Sequence, residues 1–587
     1  MARIIIAINE GINSSAVFAE NGECLFAIEE ERLSRQKNPI GFPHLAISRG
    51  MDYLGLSPSD IACVLFSNLV SPATSYEEFI GAYEKPYNSG PSDKGGEFWR
   101  QLARRLVPDT LLTMRRKRIL GSLDQRWTDE LAKHGLEKKQ IVRSDHHANH
   151  AASAYYGLLS ITDRRHHETL SISLDGGGDQ SCSQVYACTG NDMRMLGDTP
   201  LGHSLGNIYS RVTHLLGFKP HEHEYKLMGM APYVDIEHAR PVADILHGYL
   251  DIDPETPYCF RRKIPEPTHQ IGPRLARDLQ RMRFDSIAAG LQLFTEELIE
   301  RWVAGIVAAS GIRRIVAAGG VFMNVKANMR IASLEVIEHF DVFPSCGDET
   351  LPFGALWLNE ANKGNDVNPG PFNIYLGPSI NDDLGTALDK YADLIEATRV
   401  THPAADAATR IADGKIVAWC QGRMEFGARA LGRRSILARP DDPAVTARIN
   451  KKIKSRDFWM PFAPAMTRDA AEKMLAIPAS LPRPRISPWM MHAFETQGSN
   501  NAMIAALHPY DRTARAQIVD PETAPEFHEL LEEIGKRTRI SVTMNTSFNL
   551  HGYPICTTSS DAIETLLNSD IDALYLDDMY LTKKDLK

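Results

Sequence analysis

His146 and His150 stand four residues apart in Asp145-His-His-Ala-Asn-His-Ala-Ala-Ser-Ala-Tyr-Tyr156, an alanine-rich run of helical character. On a helix that spacing puts both imidazoles on one face, one turn apart. Two such rings chelate a metal ion when carboxylates arrive from elsewhere. Two loops downstream carry suitable aspartates. Leu170-Ser-Ile-Ser-Leu-Asp-Gly-Gly-Gly-Asp179 is an apolar strand running into a bare turn with Asp175, and Val342-Phe-Pro-Ser-Cys-Gly-Asp-Glu349 supplies Asp348. The glycines around Gly177 leave the backbone open, so phosphate oxygens can approach its N–H groups. Two imidazoles plus carboxylates suit Fe(II), Mn or Zn, and the sequence does not choose among them.

Other stretches could hold anions. Ile312-Arg-Arg-Ile-Val-Ala-Ala-Gly-Gly-Val321 is a strand ending in Gly319 and Gly320, and it enters an expected helix at Asn324. That offers helix N-terminal N–H groups to an anion, or lets a nucleotide pack on the backbone. Tyr209 and His221-Glu-His-Glu-Tyr-Lys-Leu-Met-Gly-Met-Ala-Pro-Tyr233, with Lys226, are expected to form a binding loop. Gln421-Gly-Arg-Met-Glu-Phe-Gly-Ala-Arg-Ala-Leu-Gly-Arg-Arg-Ser435 interleaves Arg423, Arg429 and Arg433 with glycines, and Lys451, Lys452, Lys454 and Arg456 follow. The apolar residues between them point to guanidinium forks in a pocket for phosphate or carboxylate, rather than to a solvated face. Arg515, Asn545 and Ser547 lie at the ends of expected strands, where polar groups orient a small planar ligand.

These residues need a scaffold. Strands are expected at Arg3 to Ile8, Ala16 to Phe18 and Cys24 to Ile28, around the turn Glu20-Asn-Gly22. Glu29 to Arg35 reads equally as a solvated charged face or as something more. Residues 75 to 140 read as a polar helical insertion or lid. Glycines and prolines between Asn362 and Pro378 mark a linker, and a new α/β unit with the strand Ile416-Val-Ala-Trp419 follows. The expected division is 1–365, a linker at 366–395, and 396–587. No internal repeat is evident.

Composition sets the outer limits. A chain of 587 residues implies two or more domains. A formal charge of −9 gives no support for a broad nucleic-acid-binding face. Eight scattered cysteines without a Cys-x-x-Cys pair argue against a disulfide scaffold or zinc ribbon and fit a reducing cytoplasm. No apolar run approaches membrane-spanning length.

In this order the motifs resemble the ATP-dependent O-carbamoyltransferases, which include nodulation-factor carbamoyltransferases and antibiotic-tailoring enzymes. The most specific segments are His146-His-Ala-Asn-His150, Lys226-Leu-Met-Gly-Met-Ala-Pro-Tyr233, Gly422-Arg-Met-Glu-Phe-Gly427 with Arg429-Ala-Leu-Gly432, and Asn545-Thr-Ser-Phe-Asn549. The resemblance implies an α/β protein of two domains. The first would be an actin-like, metal-containing fold similar to the transferase that makes threonylcarbamoyl-adenosine in tRNA, and the second a YrdC-like fold. It implies that His146, His150, Asp175 and Asp348 share one metal, with Fe(II) or another divalent ion there and Mg²⁺ accompanying ATP. It implies that Gly177, Gly319, Gly320, Asn324 and Lys226 line the nucleotide in the first domain. Arg423, Arg429, Lys454 and Arg456 would contact phosphate and carbamate, with Arg515, Asn545 and Ser547 in support. The implied reaction couples carbamoyl phosphate and ATP into carbamoyl adenylate, then passes the carbamoyl group to a hydroxyl of a small molecule, such as an antibiotic-type metabolite. A homodimer, and no nucleic-acid or membrane partner, are implied as well.

Two positions depart from the family. Where relatives carry a histidine, this chain has Ile12, followed by Asn13, so Asn13 would only position substrate. A base would then be His203, His221, His223 or an adenylate phosphate oxygen. Gly552-Tyr-Pro554 stands where relatives often carry Gly-Glu-Pro. The alternatives are a threonylcarbamoyl-type tRNA-modifying transferase and an actin-like ATPase or kinase.

Overall fold

A computed structural model describes residues 3–70, 75–88, 123–369, 372–454, 456–498 and 500–584. The middle of the expected insertion, 89–122, lies outside the described residues.

The N-terminal part contains two sheets of the same design. In the first, β1 (Ile4–Asn9), β2 (Ser15–Glu20) and β3 (Glu23–Glu29) form an antiparallel meander, and β4 (Ile61–Phe66) and β5 (Gln140–Arg143) add in parallel, in the order β3-β2-β1-β4-β5. In the second, β6 (Thr169–Gly178), β7 (Ser181–Thr189) and β8 (Asp192–Pro200) form the meander, and β9 (Arg314–Ala318) and β10 (His339–Val342) add in parallel, in the order β8-β7-β6-β9-β10. This duplicated order is the actin-like arrangement. It corrects the expectation of no repeat, because a repeat of topology needs only the same pattern of burial, not the same residues. The central strands show why: Ile4–Asn9 is buried throughout, as are the first six residues of Thr169–Gly178.

Two helices fill the space between the sheets. α1 (His146–Leu158) packs on β6 and β9, and α2 (Leu351–Asn362) packs on β1 and β4 and against α1. Their close approach depends on Gly354, where a Cβ would stand 1.8 Å from the Asn149 carbonyl oxygen. A larger residue there would force the helices apart.

The C-terminal part is built on an eight-stranded mixed sheet running from Ile395–Arg399 at one edge to Gln517–Ile518 at the other. The segment expected as a linker holds a helix, Leu384–Lys390, and its Ile380, Ala387 and Tyr391 belong to the C-terminal core. The parts share a continuous apolar core. Backbone bonds join them directly, from Ala27 N–H to Leu376 O (3.1 Å) and from Ala493 N–H to Val325 O (3.1 Å). The charged run at Glu29 is not a solvated face: Glu29, Glu30 and Arg32 are buried. Arg32 bonds the Gly427 carbonyl at 2.6 Å and Glu29 accepts the Gly427 N–H at 2.6 Å. Buried charges of this kind survive only when paired and hydrogen-bonded. No helix among the described residues is long and apolar enough to cross a membrane.

Candidate active site

Asp145 caps α1 by accepting the Ala148 N–H at 2.9 Å. The first turn is also held by Asp179, which accepts the His146 N–H at 3.0 Å. His146 and His150 then project from the same helix face toward Asp175, at the end of β6, and Asp348, in the loop after β10. One ligand atom from each of the four lies within 4.8 Å of the others. His150 Nε2 is 3.4 Å from Asp175 Oδ2 and 3.6 Å from Asp348 Oδ1, and His146 Nε2 is 3.6 Å from Asp348 Oδ1.

The donors fit a metal ion. His146 Nδ1 is 2.9 Å from Asn68 Oδ1, which selects the tautomer that turns the Nε2 lone pair toward the carboxylates. The Nε2 atoms of both histidines are buried, and no described residue gives them a hydrogen bond. Atoms bonded at about 2.1 Å to one tetrahedral ion lie about 3.4 Å apart, close to the spacings found here. Asp175 is fixed by the Gly320 N–H at 2.6 Å and by the Gly176 N–H. Burial pushes the Asp175 carboxyl up, but His150 and His146, with the Gly320 bond, more than reverse this and keep it ionised. Burial lowers His150, and Asp175 and Asp348 outweigh that, pushing it up to about 9 without a metal. A bound cation would replace the proton.

The loops expected to line a nucleotide are largely committed to the protein's own hydrogen bonds. Gly319, at φ +108°, sits where a Cβ would meet the Leu174 carbonyl oxygen at 2.3 Å. Its N–H bonds Cys346 O at 2.8 Å, and the Gly320 N–H goes to Asp175. Asn324 caps the next helix by accepting the Ala327 N–H at 3.1 Å, and it exchanges bonds with Gln292. Two of these backbone groups and the Asn324 cap therefore serve the protein itself. Gly177, at φ +146°, is exposed at the end of β6, with one side against Leu201, whose Cδ1 would stand 2.0 Å from a Cβ there. Lys226 lies on a helix, Glu224–Met230, not on a loop, and pairs with Asp457 at 3.1 Å across the two parts. Asn13 adopts φ 53°, and its Oδ1 is buried without a partner.

The C-terminal cations separate into two groups. Arg423 does not face a pocket: it donates to Gly377 O (3.0 Å), Leu25 O (2.9 Å) and Leu376 O, clamping the two parts together. Lys454 is likewise spent on oxygens of Ser547 and Asn549, including Asn549 Oδ1 at 2.7 Å. Asn545 bonds Ala430 O at 3.0 Å and Gln517 at 3.2 Å. Backbone carbonyls captured these side chains, which residue type alone does not reveal. Arg429, Arg456 and Arg515 differ, because no described residue gives them a hydrogen bond or an ion pair. Burial lowers all three guanidinium pKa values. Arg429 adds to the effect on Arg456 and on Arg515, which is pushed down to about 10. Such a cluster without anions calls for a polyanionic ligand. Lys37, from the N-terminal part, also interacts with Arg456 and Lys454 and was missed in the sequence, where it is one charge in a polar run. Arg429 lies near the Asp348 loop: its charge acts on Cys346, and the N–H of the preceding Ala428 bonds Ser345 at 3.0 Å.

Comparisons with known proteins identify the family. A family model described as carbamoyltransferase N-terminus matches residues 6–356, and one described as carbamoyltransferase C-terminus matches 408–583. Nodulation protein NolNO of Sinorhizobium fredii is 29% identical over 586 residues, covering 97% of this chain and 79% of that one. Nodulation protein NolO of Bradyrhizobium diazoefficiens is 30% identical over 454 residues, covering 75% and 79%. Among solved structures, full-length HypF in its phosphate- and nucleotide-bound form aligns with TM-score 0.32 and 12% identity, over 62% of this chain and 56% of that one.

Proposed function

The chain belongs to the carbamoyltransferase family, and from that premise we propose that it makes carbamoyl adenylate from ATP and carbamoyl phosphate in the arginine recess, then transfers the carbamoyl group to a hydroxyl of a small molecule at the metal centre. The observation that carries this reading is the anion-less trio Arg429, Arg456 and Arg515 beside the loop of Asp348. Two phosphate-bearing substrates repel one another, and three fixed cations offset that repulsion as charge shifts to the leaving pyrophosphate.

His146, His150, Asp175 and Asp348 would hold a divalent ion, with Fe(II), Mn and Zn as the candidates and Mg²⁺ accompanying ATP. Such an ion supplies Lewis acidity toward the phosphate of the AMP leaving group. The protein's own part is to orient the adenylate on the exposed backbone at Gly177 and to present its carbonyl to the acceptor. The acceptor class, a hydroxylated metabolite, belongs to this same proposal, as does a cytoplasmic location.

The test needs no acceptor. The full chain is incubated with ATP, Mg²⁺ and carbamoyl phosphate, and pyrophosphate is followed against a control lacking carbamoyl phosphate. Carbamoyl-phosphate-dependent pyrophosphate supports adenylate formation. Steady ADP with no pyrophosphate would move the reading to an actin-like ATPase or kinase.

A further inference from the structure

An acceptor hydroxyl that attacks a carbamoyl carbon must give up a proton, and the small cavity lined by His221, whose ring reaches Gly176 next to Asp175, has few places to put it. Its lining includes Ile12, Asn38, Phe79, Lys219, His221 and Glu222. Ile12, Asn38 and Phe79 cannot accept a proton at neutral pH. Glu222 is bound to Lys219 at 2.5 Å. Burial raises its pKa, but that pairing reverses the effect and holds the carboxyl low, so it is a weak base.

The other nearby histidines are occupied. His203 Nδ1 donates to Phe260 O at 3.0 Å, which leads the ring away from the cavity. His223 Nδ1 accepts the Lys219 N–H at 3.2 Å and so closes a turn of its own loop. His221 is different. Its ring lies beside Gly176, with Cε1 3.6 Å from where a Cβ would stand, one residue from Asp175. Its Nε2 is 3.0 Å from Tyr83 Oη, and Phe79 meets the ring edge-on at 5.0 Å. Tyr83 is itself held, because Arg211 donates to its carbonyl at 3.0 Å. The His221 backbone adopts φ 61°, and its N–H is fixed by Glu224 at 2.7 Å. A histidine kept in left-handed backbone by a carboxylate, and aimed by a buried tyrosine, is a positioned side chain.

We propose that His221 takes the proton from the acceptor hydroxyl. The assignment rests on the carbamoyl-transfer reading above. As the acceptor oxygen bonds the carbamoyl carbon, the bond from that carbon to the AMP phosphate oxygen breaks, and AMP leaves with the electron pair. The hydroxyl proton passes to His221 Nδ1, while Nε2–H donates to Tyr83 Oη.

The test separates the two half-reactions in the full-length, metal-loaded protein, with water and added methanol as acceptors. Pyrophosphate reports adenylate formation, and AMP with methyl carbamate reports transfer. His221→Asn tolerates the left-handed backbone, and His221→Gly leaves room for a free base. We expect both variants to keep metal content and pyrophosphate formation and to lose about 10²- to 10⁴-fold in transfer. Added imidazole should restore transfer in His221→Gly. Transfer within threefold of the parent, absence of imidazole rescue, or joint loss of both half-reactions would each overturn the assignment. A parent that makes pyrophosphate but transfers to neither water nor methanol would overturn it as well. A parent without carbamoyl-phosphate-dependent pyrophosphate would overturn the transfer reading instead.

Discussion

The Ser345 hydroxyl accepts the Ala428 N–H at 3.0 Å while donating to Glu349 at 2.6 Å. Three residues after Ser345 is the candidate metal ligand Asp348, and one residue after Ala428 is Arg429, which no described residue pairs with an anion. One hydroxyl thus ties the loop of the metal centre to the loop of the cationic recess. Gly427 strengthens the tie, because Glu29 and Arg32 grip its N–H and carbonyl. The two loops are therefore held in fixed register with one another.

His150→Ala removes the buried imidazole that lies 3.4 Å from Asp175 and 3.6 Å from Asp348. The variant should purify with less than a tenth of the parent's bound metal, measured by elemental analysis. Carbamoyl-phosphate-dependent pyrophosphate should persist, while transfer is lost. Full metal content in the variant would remove His150 from the ligand set.

Arg515→Met exchanges a buried cation that Asp511 only partly offsets for an apolar side chain of similar length. Without anions the variant should melt at a higher temperature than the parent, because repulsion from Arg429 is relieved. Pyrophosphate formation should fall about 10- to 100-fold, the worth of a charged hydrogen bond. A lower melting temperature would mean that Arg515 already has a stabilising role in the free protein.

Arg423→Ala should act on stability rather than on chemistry. It strips donors from the carbonyls of Leu25, Leu376 and Gly377. A loss of about 2–4 kcal/mol is expected in urea unfolding. Well below the melting temperature, pyrophosphate formation per folded molecule should stay within threefold of the parent. A tenfold loss under those conditions would return Arg423 to the substrate site.

His492 gives the fold a pH dependence. Burial alone pushes it down to about 3, and its Nε2 has no partner. A histidine in the unfolded chain titrates near 6.5. Between about pH 6.5 and 3 the unfolded chain binds a proton that the native protein refuses, so stability falls as pH falls through that window. The drop levels off below about 3 and amounts to about 5 kcal/mol in all. His492→Phe, packed against Phe340 as the imidazole is at 5.7 Å, should flatten the difference between unfolding at pH 7 and pH 4.5. An unchanged difference would mean that His492 is not the titrating group.

Some of this was legible in the residues themselves. The spacing of His146 and His150 placed both rings on one helix face, because helical periodicity is local. The apolar strands leading to Asp175 and Gly319 followed from local patterns too. The α/β character and the family came from motif order along the chain.

Other features depended on partners far away in sequence. Arg423, Arg429 and Arg515 are the same residue type. The structure gives the first to carbonyls at Leu25, Leu376 and Gly377 and leaves the other two without an anion, because the nearest acceptors come from different folds of the chain. The repeat of the two N-terminal sheets was invisible because pairing order leaves no residue-by-residue trace. His221 stood among several histidines in a polar run, and only the packing of Tyr83, Phe79 and Gly176 around it set it apart from His203 and His223. The sequence determined which chemistry was present. The tertiary structure decided which groups were left free to perform it, because a side chain's first claim is on whichever buried polar atom the fold brings within reach.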